Sequence, residues 1–381
     1  MTIDQDSKTT VIHAWQTTPM PAVPQQKKLS RTRRIFSVIV GILVGLFCLA
    51  LPVGLYQLDG PPQFTTQQNK VEPNWADGVP IGITLSGLQQ FIMQPSVITT
   101  LERQTWAAKN YWHANTIRYQ ILQDRLVGSK GTRYAPYYMR YIRKVTNYAL
   151  KLGLNVVLNA QTELSIGYSK SEPLPDYATT VFWDKILKHY KNNPRVVLDL
   201  FNEPRYCDWD QWKAAHQQLI DHIRGEGANN MIWVEGRWWG STLEGVPLLH
   251  DKLRKLAYTF HHPGAPWPDQ APVNEETWNK AFGYLTDKGV RVVDGEFANF
   301  TGSYDWQDPY IPGYFKPGIL VRKYLRYLRS HHIGMLAWSL LPGSLNKTAD
   351  YNSVSKEPQG DGNLVRQWFH EIHRANLRLA A

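Results

Sequence analysis

From residue 80 onward, short apolar runs rich in Val, Ile and Leu recur along the chain at 80–85, 116–122, 155–159, 196–200, 231–234, 256–260, 290–293 and 334–339. Each is too short for a helix, and the run at 196–200 carries no turn former, the pattern of a strand buried on both faces. Between them lie longer stretches with the mixed periodicity of helices, at 135–152, 179–191, 209–225, 275–288 and 318–331. Eight strand-plus-helix alternations within about 300 residues predict a (β/α)8 TIM barrel, which places its chemistry at the carboxyl ends of the strands. A doubly wound open sheet is the alternative, but no Gly-x-Gly-x-x-Gly turn follows the first strand and no P-loop is present.

One apolar stretch has a different scale. Residues 35–58 run without a charge, long enough for a single transmembrane helix across a ~30 Å hydrocarbon core. Residues 1–34 before it hold six Lys and Arg against two Asp, while Asp59 follows it. Positive charge on the near side predicts a cytoplasmic tail (1–34), a membrane anchor (35–58), a Pro/Gln/Thr linker (59–74) and a catalytic domain (75–381) on the extracellular side. A cleaved signal peptide is the rival, which would have a shorter apolar core and a small-x-small cleavage site. Phe47 before Cys48 argues against a lipid-modified cysteine.

The ends of two predicted strands carry the candidate chemistry. Val196-Val197-Leu198-Asp199-Leu200-Phe201 runs into Asn202-Glu203-Pro204, where Pro204 stops the strand and steers Glu203 away from the helical region. Ninety-three residues beyond Glu203, Val290-Arg291-Val292-Val293-Asp294-Gly295 delivers Glu296 in the same way. Two carboxyls on one barrel face suit chemistry at an acetal carbon: one protonates the leaving oxygen and the other attacks, from ~5–5.5 Å away in retaining enzymes.

Composition narrows the field. The formal net charge of +10 belongs partly to the N-terminal tail, and the remaining charges are dispersed rather than striped, so no nucleic-acid partner is expected. Two cysteines, Cys48 and Cys207, give no disulfide framework. No ligand cluster has metal spacing, so neither a metal nor an organic cofactor is expected. Fifteen Trp and twenty Tyr provide rings on which sugars stack. Trp238, Trp239 and Trp267, together with the ring-rich segment 299–317, fall in loops of the predicted catalytic face.

With these residues in view, the chain resembles glycoside hydrolase family 5, the cellulase and mannanase family of retaining barrel glycosidases, over roughly residues 80–339. The most specific match is Leu200-Phe201-Asn202-Glu203-Pro204 paired with Asp294-Gly295-Glu296-Phe297. The resemblance implies that Glu203 is the general acid/base and Glu296 the nucleophile, with Asn202 binding the neighbouring sugar hydroxyl. It further implies that Arg118, in Asn115-Thr116-Ile117-Arg118, bonds the nucleophile carboxylate, and that a cation there would keep Glu296 ionised. By the same likeness His261 binds sugar and Trp338 forms the platform beneath it. Two positions depart from the family: Gln161 stands where a histidine is usual after the third strand, and Pro263 where a tyrosine often follows the strand-six histidine, leaving Tyr304 or Tyr310 as substitutes. The expected activity is hydrolysis of a β-1,4-linked polysaccharide or oligosaccharide. A β-mannanase, an exo-β-glucosidase and a non-catalytic carbohydrate-binding barrel are the alternatives.

Overall fold

A computed structural model of the chain describes residues 78–89, 95–128, 135, 137–162, 173–261, 274–298, 317–340 and 362–380. Eight parallel strands close into a barrel in chain order: β1 (Ile81–Leu85), β2 (Thr116–Leu122), β3 (Asn155–Gln161), β4 (Val196–Asp199), β5 (Ile232–Glu235), β6 (Leu256–Phe260), β7 (Val292–Ala298) and β8 (Gly334–Trp338). Around them run α1 (Pro95–Asn110), α2 (Gln123–Val127), α3 (Tyr138–Lys151), α4 (Tyr177–Tyr190), α5 (Trp209–Gly225), α6 (Glu275–Ala281), α7 (Pro317–Ser330) and α8 (Gly362–Ala380). Residues 236–255, between β5 and β6, carry no helix. The predicted barrel is therefore observed. Among the described residues no helix is long and apolar enough to cross a membrane, and the predicted tail, anchor and linker at 1–74 lie outside them.

Helix starts follow from local chemistry. Asp176 opens α4 and Asp208 opens α5, each accepting from the backbone three residues on while Thr179 and Gln211 bond back in reciprocal capping boxes. In α5 the spacing of Trp212, His216, Leu219, Ile220 and Ile223 turns one face inward. Two indoles then reach the barrel: Trp183 Nε1 donates to the Leu200 carbonyl at 3.0 Å and Trp212 Nε1 to the Glu235 carbonyl at 2.8 Å. Helices α4 and α5 thereby fix the carboxyl ends of β4 and β5.

The barrel interior is layered. Val157, Val197, Trp233, Ala257, Val293 and Leu336 form one buried apolar cluster. Side chains alternate with a period of two along a strand, so the next inward position on β3, β4, β5 and β6 is Asn159, Asp199, Glu235 and Thr259. All four are buried. Strand β7 breaks this alternation. Its register against β8 shifts between Asp294 and Phe297, a bulge that inserts one residue. Asp294 faces the helices, where Tyr324 of α7 donates to it at 2.6 Å. Without the extra residue Glu296 would share that outward face; with it, Glu296 turns into the barrel.

Candidate active site

Arg118 is fully buried at the centre of the polar layer, and every polar edge of its guanidinium is used. Nε donates to Asp199 Oδ2 at 2.7 Å, and Nη2 donates to Glu235 Oε1 at 2.7 Å and to Asn202 Oδ1 at 3.0 Å. Nη1 donates to Glu296 Oε1, which also accepts from Gln120 Nε2 at 2.6 Å. A buried cation is tolerated only when paired in this way. Asn159 Nδ2 reaches the same two carboxylates, at 3.1 Å from Asp199 and 3.3 Å from Glu235.

Glu203 follows β4 with φ 50°, in the left-handed region rather than the extended form that usually precedes proline. Its backbone N–H donates to Glu235 Oε2 at 2.7 Å. His261, at the end of β6, lies between the carboxyls: Nδ1 is 3.1 Å from Glu203 Oε1, and Nε2 is 3.3 Å from Glu235 Oε2 and 3.8 Å from Glu296 Oε1. Gly240, with φ 70°, makes room for the ring, since a Cβ there would lie 3.1 Å from His261 Cγ. One oxygen of Glu203, one of Glu296 and one His261 nitrogen all fall within 4.8 Å of one another. A cation would accept that spacing, but Arg118 and His261 already bring positive charge to the same carboxyls and disfavour another.

Burial opposes the charge on every group here, and the neighbours decide which groups keep it. Burial would lower the His261 pKa, but the charges of Glu235 and Glu296 and the hydrogen-bonding carboxylates outweigh it, raising the pKa well above the ordinary imidazole value. Burial would raise the Glu235 pKa, but His261, Arg118 and the Glu203 N–H bring it down to about 2. Asp199 moves the other way, up to about 8, through burial and repulsion from Glu235 against the pull of Arg118. The bonding agrees: both Glu235 oxygens receive donors, whereas Asp199 Oδ1 has no partner among the described residues. Arg118 does draw the Glu296 pKa down, as expected of a neighbouring cation, but it is not the dominant influence. Burial raises the Glu296 pKa, and repulsion from Glu203 and Glu235 adds to it, so the opposing charges of His261 and Arg118 do not offset the rise.

Of the residues singled out in the sequence, Arg118, Asn202, Glu203, His261 and Glu296 converge in one hydrogen-bonded and ion-paired group. Gln161 ends β3, where its carbonyl oxygen accepts from Gln89. Trp338 ends β8 in register with Thr84 of β1 and Ala298 of β7, half-buried at the same rim. Tyr304, Tyr310, Pro263 and Trp267 lie outside the described residues. Sequence reading passed over Gln120, Asn159, Asp199 and Glu235. Glu235 lies one residue beyond the strand expected at 231–234 and closes β5 (Ile232–Glu235). The period-two step from Trp233 to the next inward position marks it.

The cellulase model of glycosyl hydrolase family 5 matches residues 76–344. The chain belongs to glycosyl hydrolase family 5. Within that family it is 28% identical over 201 residues to a probable endo-β-1,4-glucanase B of Neosartorya fischeri, the match covering 48% of this chain and 60% of the relative. It is 25% identical over 181 residues to endo-β-1,4-glucanase B of Aspergillus niger, covering 46% of this chain and 52% of that one. The chain thus spans little more than half the length of these relatives. Among solved structures, the β-glucanase SdGluc5_26A of Saccharophagus degradans, in complex with cellotetraose, shares the fold with a TM-score of 0.59 at 18% identity, covering 77% of this chain and 88% of that one. Endoglucanase Cel5A of Pseudomonas stutzeri does so with a TM-score of 0.56 at 18% identity, covering 78% and 97%.

Proposed function

We propose that this family 5 chain is a retaining β-glycoside hydrolase acting on a β-1,4-glucan. The observation that carries the reading is the approach of Glu203 and Glu296, one oxygen of each within 4.8 Å of the other. Retaining enzymes hold their carboxyls ~5–5.5 Å apart, and inverting ones leave ~6.5–9.5 Å for a water. In the first step Glu203 protonates the glycosidic oxygen while Glu296 attacks the anomeric carbon. In the second Glu203 takes a proton from water, which displaces Glu296 with net retention. Arg118 and Gln120, donating to Glu296, hold its attacking carboxyl in place.

The glucan assignment draws on the endo-β-1,4-glucanase relatives and on three exposed rings beside the acid. Tyr206, Trp238 and Trp239 are 65%, 47% and 36% exposed, and all three have positive φ. Tyr206 and Trp239 meet edge to face at 5.2 Å, and the Trp239 N–H bonds the Pro204 carbonyl. Sugar rings stack on such faces, and the acid's side of the cleft receives the leaving chain. The uncharged run 35–58 behind its basic cluster supports a membrane tether with the barrel outside the cell. Alkaline carbonate extraction would leave an anchored full-length chain in the membrane pellet, and release into the supernatant would reject the tether.

A panel of β-glucans, β-mannans and aryl β-glycosides tests the activity beside Glu296→Ala. The expected result is hydrolysis of β-1,4-glucan with β-configured first products, lost by several orders of magnitude in the variant. Activity on mannan alone would move the substrate, and a folded wild type inert on every glycan would favour a binding protein.

A further inference from the structure

Glu235 touches no part of the expected bond-breaking path, yet among the described residues it is the carboxylate that meets groups from four strands bearing the site, β2, β3, β4 and β6. It is fully buried at the end of β5. Oε1 accepts from Arg118 of β2 at 2.7 Å and faces Asn159 of β3 at 3.3 Å. Oε2 accepts the Glu203 N–H at 2.7 Å and lies 3.3 Å from His261 Nε2. From behind, Trp212 of α5 anchors its carbonyl at 2.8 Å.

We propose that Glu235 is a positioning residue for the proposed glycosidase reaction, fixing the backbone of Glu203 in its left-handed conformation and holding the His261 ring between the two reacting carboxyls. The inference rests on the glycosidase reading for its kinetic consequence only. A left-handed non-glycine residue is costly and persists where surrounding contacts over-determine it. The Glu203 N–H, aimed at a buried carboxylate, supplies such a contact as a charge-assisted hydrogen bond. The same oxygen, 3.3 Å from Nε2, favours the doubly protonated His261 ring. A doubly protonated ring directs Nδ1–H to Glu203 and leaves Nε2–H toward Glu235 and Glu296, whereas a neutral ring donates from one nitrogen alone.

The groups that face this pair are Arg118 on β2, Asp199 and Glu203 on and after β4, His216 on α5, and Glu296 on β7. The carboxylates of Glu203, Glu235 and Glu296 are what hold the His261 ring charged, so removing the Glu235 charge takes away a principal partner. Glutamine at 235 can accept from Arg118 or from the Glu203 N–H, and its amide then confronts the other donor.

The test combines kinetics with NMR titration of the His261 ring in wild type, Glu235→Gln and Glu235→Asp. In Glu235→Gln, kcat should fall on the order of 10²-fold, the cost typical of misplacing a reacting group, with KM nearly unchanged. The His261 midpoint should drop by about one pH unit or more, while Glu235→Asp, which keeps the charge, should restore that midpoint without restoring the full rate. A Glu235→Gln variant with wild-type kcat overturns the proposal. So does one that loses rate while the His261 midpoint stays in place, because the residue is then merely structural. If Glu235→Gln does not fold, the wild type decides: a His261 midpoint at or below the ordinary imidazole value overturns it. Should the wild type hydrolyse no glycan, the glycosidase reading fails by itself, and the titration still reports whether Glu235 holds the ring.

Discussion

Two layers of the barrel interior lie two residues apart on the same strands and follow opposite rules. The lower, built from Val157, Val197, Trp233, Ala257, Val293 and Leu336, is a buried apolar plug. The upper, built from Arg118, Asn159, Asp199, Glu235 and the groups around Glu296, is almost as buried but polar, with Arg118 and Glu235 charged. Apolar burial contributes stability in proportion to area removed from water, whereas buried ion pairs repay at best their own desolvation. The upper layer is therefore retained for what it positions, and the lower layer secures the strands that carry it. If this division holds, damage above should remove activity along with stability, and damage below should remove stability alone.

Replacing Arg118 should produce the larger effect on both counts. Arg118→Leu leaves Asp199, Glu235 and Glu296 without their shared cation, and breaking a buried pair in this way costs about 3–5 kcal/mol. Denaturant unfolding should record that loss. Hydrolysis by the remaining folded fraction should also collapse, because Glu296 loses a donor and Asn202 loses its partner. Full activity per folded molecule would break the comparison.

Below, Leu336→Ala should cost about 2–5 kcal/mol, depending on how far the cavity collapses. Its kcat per folded molecule should stay within a few-fold of wild type, measured after active-site titration or at a temperature where the variant is fully folded. A fall in kcat as deep as that of Arg118→Leu would mean that the plug itself sets the geometry of the carboxyls.

The same contrast explains what the sequence revealed. Eight strands were legible because doubly buried strands are short, mostly apolar runs, and the Asn202-Glu203-Pro204 and Asp294-Gly295-Glu296 strand ends followed from them. Helix α1 and the C-terminal helix α8 were passed over, since their apolar positions are diluted by Gln, Arg, His and Asn. The bulge at Asp294–Phe297 left no composition signal, although it decides which way Glu296 points. Nor did Asn-Glu-Pro reveal the left-handed φ of Glu203, which depends on a carboxylate 32 residues away. Glu235 itself was within reach of the period-two rule; what no local pattern could show is that its two oxygens join β2, β4 and β6.

The smallest expected effect concerns which carboxyl of the upper layer carries the charge. Glu235, with its pKa lowered, contributes stability that is present above the ordinary carboxylate range and is lost as pH falls toward about 2. Asp199 has the opposite sign: its pKa is raised to about 8, so between the unfolded value and that pH the folded chain binds a proton that the unfolded chain has released. Its contribution therefore falls as pH rises through this window, by at most about 1.4 kcal/mol per pH unit. Asp199→Asn keeps an acceptor for Arg118 Nε and removes the titration. The difference in unfolding free energy between variant and wild type should move in the variant's favour from pH 5 to pH 8, measured by urea melts at fixed ionic strength. A difference independent of pH would mean that Asp199 is ionised beside Arg118 throughout this range, which would overturn the division of charge within the layer.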